Sequence, residues 1–259
     1  MYRYLGIVVK TAAIQQNGVK MDFQYIGDQK FGIILYKNAL PKELRLPERL
    51  EETIGNSTTA PFMWMEALVG DAQKMPEYRD CVDCKMGPTH IQHLPPQFSE
   101  MKNIYNDTVL RLTECLRDYE SRYNIKMDFM EAINYVRYHT GQHFAVHTDH
   151  GFSYNCTVSS IMYLNDGYEG GELYFPFLDI TVVPEYGDIV FFPSTYIYAH
   201  AAKAVTSGTK YAAVTMFDYN DRTHKQGYGE NIDGTKATEG AGLPTYGSQQ
   251  NADGRFLAQ

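Results

Sequence analysis

The sequence predicts a mainly β fold, a jelly roll with flanking helices whose N-terminal helices pack on one sheet. Eight short segments rich in Val, Ile, Tyr, Phe and Thr lie between residues 129 and 224, separated by Gly, Asn, Asp and Pro. No helical period falls between them. Helical patterns occur only before residue 128, so the helices cap one face of the β structure and do not cross between strands.

Taken in order, residues 1–128 form an N-terminal strand and helix region that supports the same domain. Phe31 to Tyr36 reads as a buried strand. Pro41 opens a charged run with Leu44, Leu46, Leu50 and Ile54 at helical spacing. A second helix starts at a Ser99 N-cap. Its stripe is Met101, Ile104, Tyr105, Thr108, Val109, Leu112, Cys115, Leu116 and Tyr119, a packing surface for the outside of a sheet. The eight strands of a 129–224 core fall near 132–139, 143–149, 156–164, 171–175, 178–183, 188–192, 197–205 and 209–218. Residues 225–259 are rich in Gly, Asn and Gln with few large apolar side chains, which predicts a loosely ordered or partner-dependent tail.

Composition narrows the function classes. The chain has 259 residues, 44% of them hydrophobic, enough for one catalytic domain with a real core. Its formal net charge of -8 opposes nucleic-acid binding, which leans on basic surfaces. No apolar stretch has the length of a membrane span, and residues 1–10 are too short and polar for a signal peptide. Four cysteines make no disulfide framework, so a cytoplasmic location is expected. The oligomeric state is left open. Tyrosine is abundant, 21 against one Trp, and suits half-buried strand positions or a polar cavity lining.

The chemistry concentrates around His147-Thr148-Asp149. On a strand, residues i and i+2 share a face, so this pair offers an imidazole and a carboxylate to one point. His200 on the seventh strand supplies a third ligand. Two histidines and a carboxylate on one face of an ion leave three positions open, the arrangement of iron(II) oxygenases, while zinc accepts the same ligands tetrahedrally. A hydrogen-bonded His–Asp pair at a strand end is the structural alternative. Lys210 adds a cation ten residues after His200. With a hairpin tip at Ser207-Gly208, His200 faces Thr215, and Lys210 lies five residues along, roughly 16 Å away. A metal bond, a five-carbon dicarboxylate and an extended lysine cover about that span. A second ligand pattern, Cys81-x-x-Cys84 with His90-x-x-His93, offers a zinc set, though the gap between its pairs is shorter than in common zinc fingers.

The matching positions run Tyr138-x-x-Gly141-Gln142-x-Phe144-x-x-His147-x-Asp149, then Met162-Tyr163-Leu164-Asn165 and Gly170-Gly171-Glu172-Leu173. They continue through Gly187-Asp188-Ile189-Val190-Phe191-Phe192-Pro193-Ser194 to His200, Val205, Gly208 and Lys210. In this order they resemble the prolyl 4-hydroxylase branch of the 2-oxoglutarate/Fe(II)-dependent dioxygenases, in particular its short microbial and phage-encoded members. Weaker similarity extends upstream through Asn38-Ala39-Leu40-Pro41 to Trp64 and Arg79.

The resemblance implies a double-stranded β-helix with His147, Asp149 and His200 as catalytic iron ligands. It implies that Lys210 and Tyr163 bind the distal carboxylate of 2-oxoglutarate and that Tyr138 sits beside the cosubstrate. Fe(II), 2-oxoglutarate and O2 are then required, with ascorbate as an optional reductant. Because no acid–base residue is needed, His143 and His150 are candidates either to support the ligands or for structural roles, the structural reading being favoured. Asp149 separates the chain from related halogenases, which lack the carboxylate. Met216 departs from the family, which places Trp six residues after the basic anchor and uses it in peptide-acting members. The expected reaction is hydroxylation of a prolyl residue in a peptide or protein. Hydroxylation of a free amino acid or other small molecule is the alternative, and a non-catalytic jelly-roll structural or binding protein ranks below it. A nucleic-acid demethylase on the same fold is disfavoured by the acidity. A phage-encoded member would work in host cytoplasm.

Overall fold

Short apolar runs cut by turn residues produce strands throughout, and the computed structural model describes them over residues 14–16, 19–69, 73–151, 155–220, 224 and 229–231. The N-terminal part holds β1 (Ile14–Gln16), β2 (Val19–Tyr25), β3 (Ile34–Lys37), β4 (Met65–Glu66), β5 (Arg79–Asp80) and β6 (Val82–Met86). It also holds the helices α1 (Leu46–Ile54), α2 (Pro88–Gln92) and α3 (Glu100–Tyr123). From there the chain is β: β7 (Phe129–Glu131), β8 (Ile133–His139), β9 (His143–His147), β10 (Val158–Tyr163), β11 (Glu169–Gly170) and β12 (Leu173–Phe175). The remainder are β13 (Ile180–Val182), β14 (Ile189–Pro193), β15 (His200–Ala202), β16 (Val205–Ser207), β17 (Thr209–Asp218) and β18 (Gly229–Asn231). No described helix is long and apolar enough to cross a membrane.

The strands form two main antiparallel sheets in a jelly roll, with a separate β11-β16 ladder. The larger runs β1-β2-β3-β14-β10-β17-β8-β6-β4, with β7 on β17 and β18 on β7; the smaller runs β13-β12-β15-β9-β5. Each of the eight strands expected in the core has its counterpart. Four of them, β8, β17, β10 and β14, are neighbours in the large sheet, and the other four, β9, β15, β12 and β13, are neighbours in the small one. The β18 pairing lies inside the expected tail, whose other residues beyond His224 are outside the described residues.

Helices cover the outer face of the large sheet because their apolar stripes match it. Leu46, Leu50 and Ile54 of α1 are fully buried at i, i+4 and i+8. On α3 the expected stripe is buried except for half-buried Val109. These residues pack with Tyr135, Phe191 and Phe217 of the sheet. Polar groups at this seam are paired: Thr108 Oγ1 lies 3.0 Å from the Tyr135 hydroxyl, and the Tyr119 hydroxyl donates to the Gly32 carbonyl at 2.8 Å. Asp118 accepts from the Tyr36 hydroxyl at 2.8 Å and from Arg122 Nη2 at 2.8 Å.

Four local expectations need correction. Pro41 precedes a 3-10 turn, Lys42–Leu44, and Pro47 opens α1 instead. Ser99 makes no side-chain cap, because a preceding 3-10 turn delivers it with helical backbone. The strand carrying His147 stops there, so Asp149 stands on a bend past its end. Finally, β15 and β17 are not a hairpin. β15 pairs with β9 and β12 in the small sheet, β16 pairs with β11, and β17 pairs with β8 and β10 in the large sheet. The chain changes sheets between Ala202 and Thr209, and Thr215 opposes Ser160, not His200.

Candidate active site

The small sheet brings His147 and His200 together by register. They are Cα partners at the end of β9 and the start of β15, and their rings lie 4.4 Å apart. The bend after His147 returns Asp149 toward both. Its two carboxylate oxygens lie 3.6 Å from His147 Nε2 and 3.8 Å from His200 Nε2. One ligand atom from each of the three residues falls within 4.8 Å of the others, and no other described group of His, Cys, Asp and Glu does so.

Each histidine is oriented by its own backbone. His147 Nδ1 lies 2.9 Å from the Ala145 carbonyl and His200 Nδ1 3.0 Å from the Tyr198 carbonyl. A carbonyl only accepts, so both Nδ1 atoms carry the proton and both Nε2 lone pairs face the shared point. Burial pushes His200 down to about 4, against the pull of Asp149. Burial opposes the charge on Asp149, but the two histidines outweigh it and hold the carboxyl well below the usual range. Two Nε2 lone pairs and a carboxylate form a donor set that fits a divalent ion such as iron(II).

Two side chains that the sequence reading gave no role complete the support for His147. Phe144 stacks on its imidazole, centroids 3.6 Å apart and planes 13° apart. The Arg79 guanidinium covers the Phe144 ring at 4.9 Å and donates to the Leu68 carbonyl and to Asp83. Arg79 and Phe144 are Cα partners between β5 and β9. Phe144 stood in the motif and Arg79 in the weak upstream similarity, but nothing in their spacing shows that they stack. Ser159 helps to hold the Asp149 carboxyl low, and its hydroxyl lies 2.8 Å from Ser194 Oγ.

The opposite wall is the large sheet. On β17 alternation turns Lys210, Ala212, Val214 and Met216 to one face and Ala213 and Phe217 to the helix side. Lys210 is Cα partner to Tyr138, and its Nζ lies 5.4 Å from the Tyr138 ring and 5.1 Å from the Tyr163 ring. Nζ donates to the Gly171 carbonyl at 2.6 Å. The lysine is 3% exposed and has no ion-pair partner among the described residues. Burial pushes its ammonium down to about 8, although Glu172 and Cys81 favour the charge. A buried cation without a counter-ion is costly, so this site fits an anion supplied from outside. Burial also raises both Tyr138 and Tyr163, which keeps them as neutral hydroxyl donors.

The remaining candidates do not join this site. His143 Nε2 lies 3.3 Å from the Glu77 carbonyl, and His150 Nδ1 lies 2.7 Å from the Cys156 carbonyl. Cys81 and Cys84 belong to different apolar clusters, as i and i+3 on an extended chain must face opposite ways. His90 Nδ1 accepts from the Gly87 amide. These four residues therefore cannot share one ion.

Residues 133–218 match the family profile of the 2OG-Fe(II) oxygenase superfamily. No curated protein sequence matches the chain. Among solved structures, a Trichoplax adhaerens prolyl hydroxylase, in complex with a hypoxia inducible factor oxygen degradation domain peptide fragment, aligns with TM-score 0.57 at 14% identity. That alignment covers 73% of this chain and 84% of the other. A Pseudomonas putida prolyl-4-hydroxylase aligns with TM-score 0.53 at 19% identity over 73% and 94%. A Burkholderia pseudomallei oxidoreductase of the 2OG-Fe(II) oxygenase family gives TM-score 0.53 at 14% identity over 74% and 87%. At such identities the likeness is one of fold. Residues 133–218 thus resemble the 2OG-Fe(II) oxygenase superfamily, on a fold similar to that of the prolyl hydroxylases.

Proposed function

We propose that the protein hydroxylates an unactivated carbon in an Fe(II)- and 2-oxoglutarate-dependent reaction, with a prolyl residue of a peptide or protein as the favoured acceptor. The observation that carries this reading is the pairing of a convergent His147–Asp149–His200 group on one sheet with a buried Lys210 that has no ion-pair partner among the described residues on the other. Iron(II) with 2-oxoglutarate and O2 supplies the oxidising power for attack on a C–H bond, releasing succinate and CO2. The chain's own groups do the rest. His147, Asp149 and His200 hold the ion. Lys210 and the Tyr163 hydroxyl bind the distal carboxylate, and Tyr138 borders the cosubstrate. Leu173, Phe175 and Phe192 form an apolar cluster that includes Tyr163 and keeps water from that side. No acid or base is needed.

A second reading, hydroxylation of a free amino acid or other small molecule, is favoured by Met216. It lies on the same β17 face as Lys210 and is Cα partner to Ser159, which favours the ionised Asp149. A flexible thioether there replaces the flat aromatic of peptide-acting relatives. Purified protein with iron(II) is tested on proline-rich peptides and on free amino acids by mass shift, with succinate assayed in parallel. A +16 Da peptide product supports the first reading and a +16 Da amino acid the second. Succinate release no greater than that of a His147→Ala control, together with no binding of 2-oxoglutarate, overturns both.

A further inference from the structure

The Tyr168 ring packs against the cluster of Val136, Tyr138 and Val205, and its hydroxyl is buried with no hydrogen-bond partner among the described residues. A phenol in that position destabilises the fold unless something pairs with it. Gly171 places it next to the anchor. A Cβ at 171 would lie 3.0 Å from Lys210 Cδ and 3.4 Å from Tyr168 Cε2, so the lysine stem and the tyrosine edge flank the same backbone atom. Tyr168 and Tyr138 also bear electrostatically on the Tyr163 hydroxyl.

The donor count at this end is informative. The Lys210 ammonium has three N–H donors, of which one is engaged by the Gly171 carbonyl. A carboxylate offers about four lone-pair sites. The two remaining lysine donors and the Tyr163 hydroxyl fill three of them, and the Tyr168 hydroxyl is the unpaired donor left at this end.

We propose that Tyr168 is a further cosubstrate-binding residue, its hydroxyl donating to the distal carboxylate of 2-oxoglutarate beside Lys210 and Tyr163. The assignment rests on the reading of Lys210 as the anchor. It follows from the buried unpaired hydroxyl and from the shared contact at Gly171.

The test uses the full chain with Mn(II) in place of iron and measures 2-oxoglutarate binding by calorimetry. Tyr168→Phe is expected to weaken 2-oxoglutarate about tenfold while Mn(II) affinity is unchanged. It is also expected to raise the melting temperature of the ligand-free protein, because an unpaired buried hydroxyl is removed. Binding of 2-oxobutyrate, which lacks the distal carboxylate, is expected to be equal in wild type and variant, and this also verifies the fold. Tyr168→Leu gives the same readouts with the whole phenol removed. Unchanged 2-oxoglutarate affinity in either variant overturns the proposal, leaving water as the partner of the hydroxyl. Wild-type protein that binds Mn(II) but no 2-oxoglutarate removes the underlying reading of Lys210, a result distinct from failure of Tyr168 alone.

Discussion

His147 and His200 converge because each has its Nδ1 tied to a carbonyl two residues earlier, which leaves one lone pair and one direction. Replacing His147 with Ala is expected to abolish measurable Fe(II) binding in a metal titration without unfolding the chain. Phe144 reaches the ion only through His147, so Phe144→Ala is expected to weaken the metal about tenfold, with partial rescue by Tyr. A Co(II) absorption spectrum reports the same change in ligand geometry. Lys210 titrates near 8 in the free protein because of burial. On the proposed function the complex needs the ammonium, which the free protein carries below pH 8. Above pH 8, binding must take up a proton, and the dissociation constant for 2-oxoglutarate rises about tenfold per pH unit. Lys210→Ala is expected to lose both the affinity and this slope while retaining metal. At this scale the motif residues were legible in the sequence, since His147, Asp149, His200 and Lys210 sit in recognisable runs. Arg79 and Tyr168 were not, because their relevance depends on which strands become neighbours.

Helices α1 and α3 announce themselves through period. Their buried residues are the ones that the three- and four-residue spacing selects, and the helices end where Gly55 and Asn124 allow. What period does not reveal is the charge held inside that packing. Asp118, on the buried side of α3, ties Arg122 to Tyr36 across the seam. Asp118→Ala would leave the largely buried guanidinium uncompensated, so a loss of about 3–5 kcal/mol is expected in urea unfolding. The eight core strands were equally legible, while the short β7, β11, β16 and β18 carry too few residues to show a pattern. Strand partnership was not: a Ser207-Gly208 pair looks like a hairpin tip. In the fold, Gly208 at φ 80 marks a passage between sheets, with the neighbouring Gly167 carbonyl too close for any side chain. β2 escaped the reading although Met21, Phe23 and Tyr25 alternate, because polar neighbours on both sides hide a strand whose apolar face meets α3.

For the molecule as a whole, the two sheets divide the labour between them. Only the folded chain assembles the site, so ligands that occupy it stabilise the fold by mass action. Metal with 2-oxoglutarate at a hundred times its dissociation constant is expected to add about 2.7 kcal/mol, seen as a higher melting temperature. His147→Ala and Lys210→Ala should each lose most of that gain. The division also has a mechanical consequence. On the proposed function, a dicarboxylate held beside His147, Asp149 and His200 on one sheet and by Lys210 on the other becomes a strut between the sheets. Such a grip favours one chain length, so a four-carbon and a six-carbon 2-oxo diacid are each expected to bind more weakly than 2-oxoglutarate, which calorimetry with Mn(II) present checks.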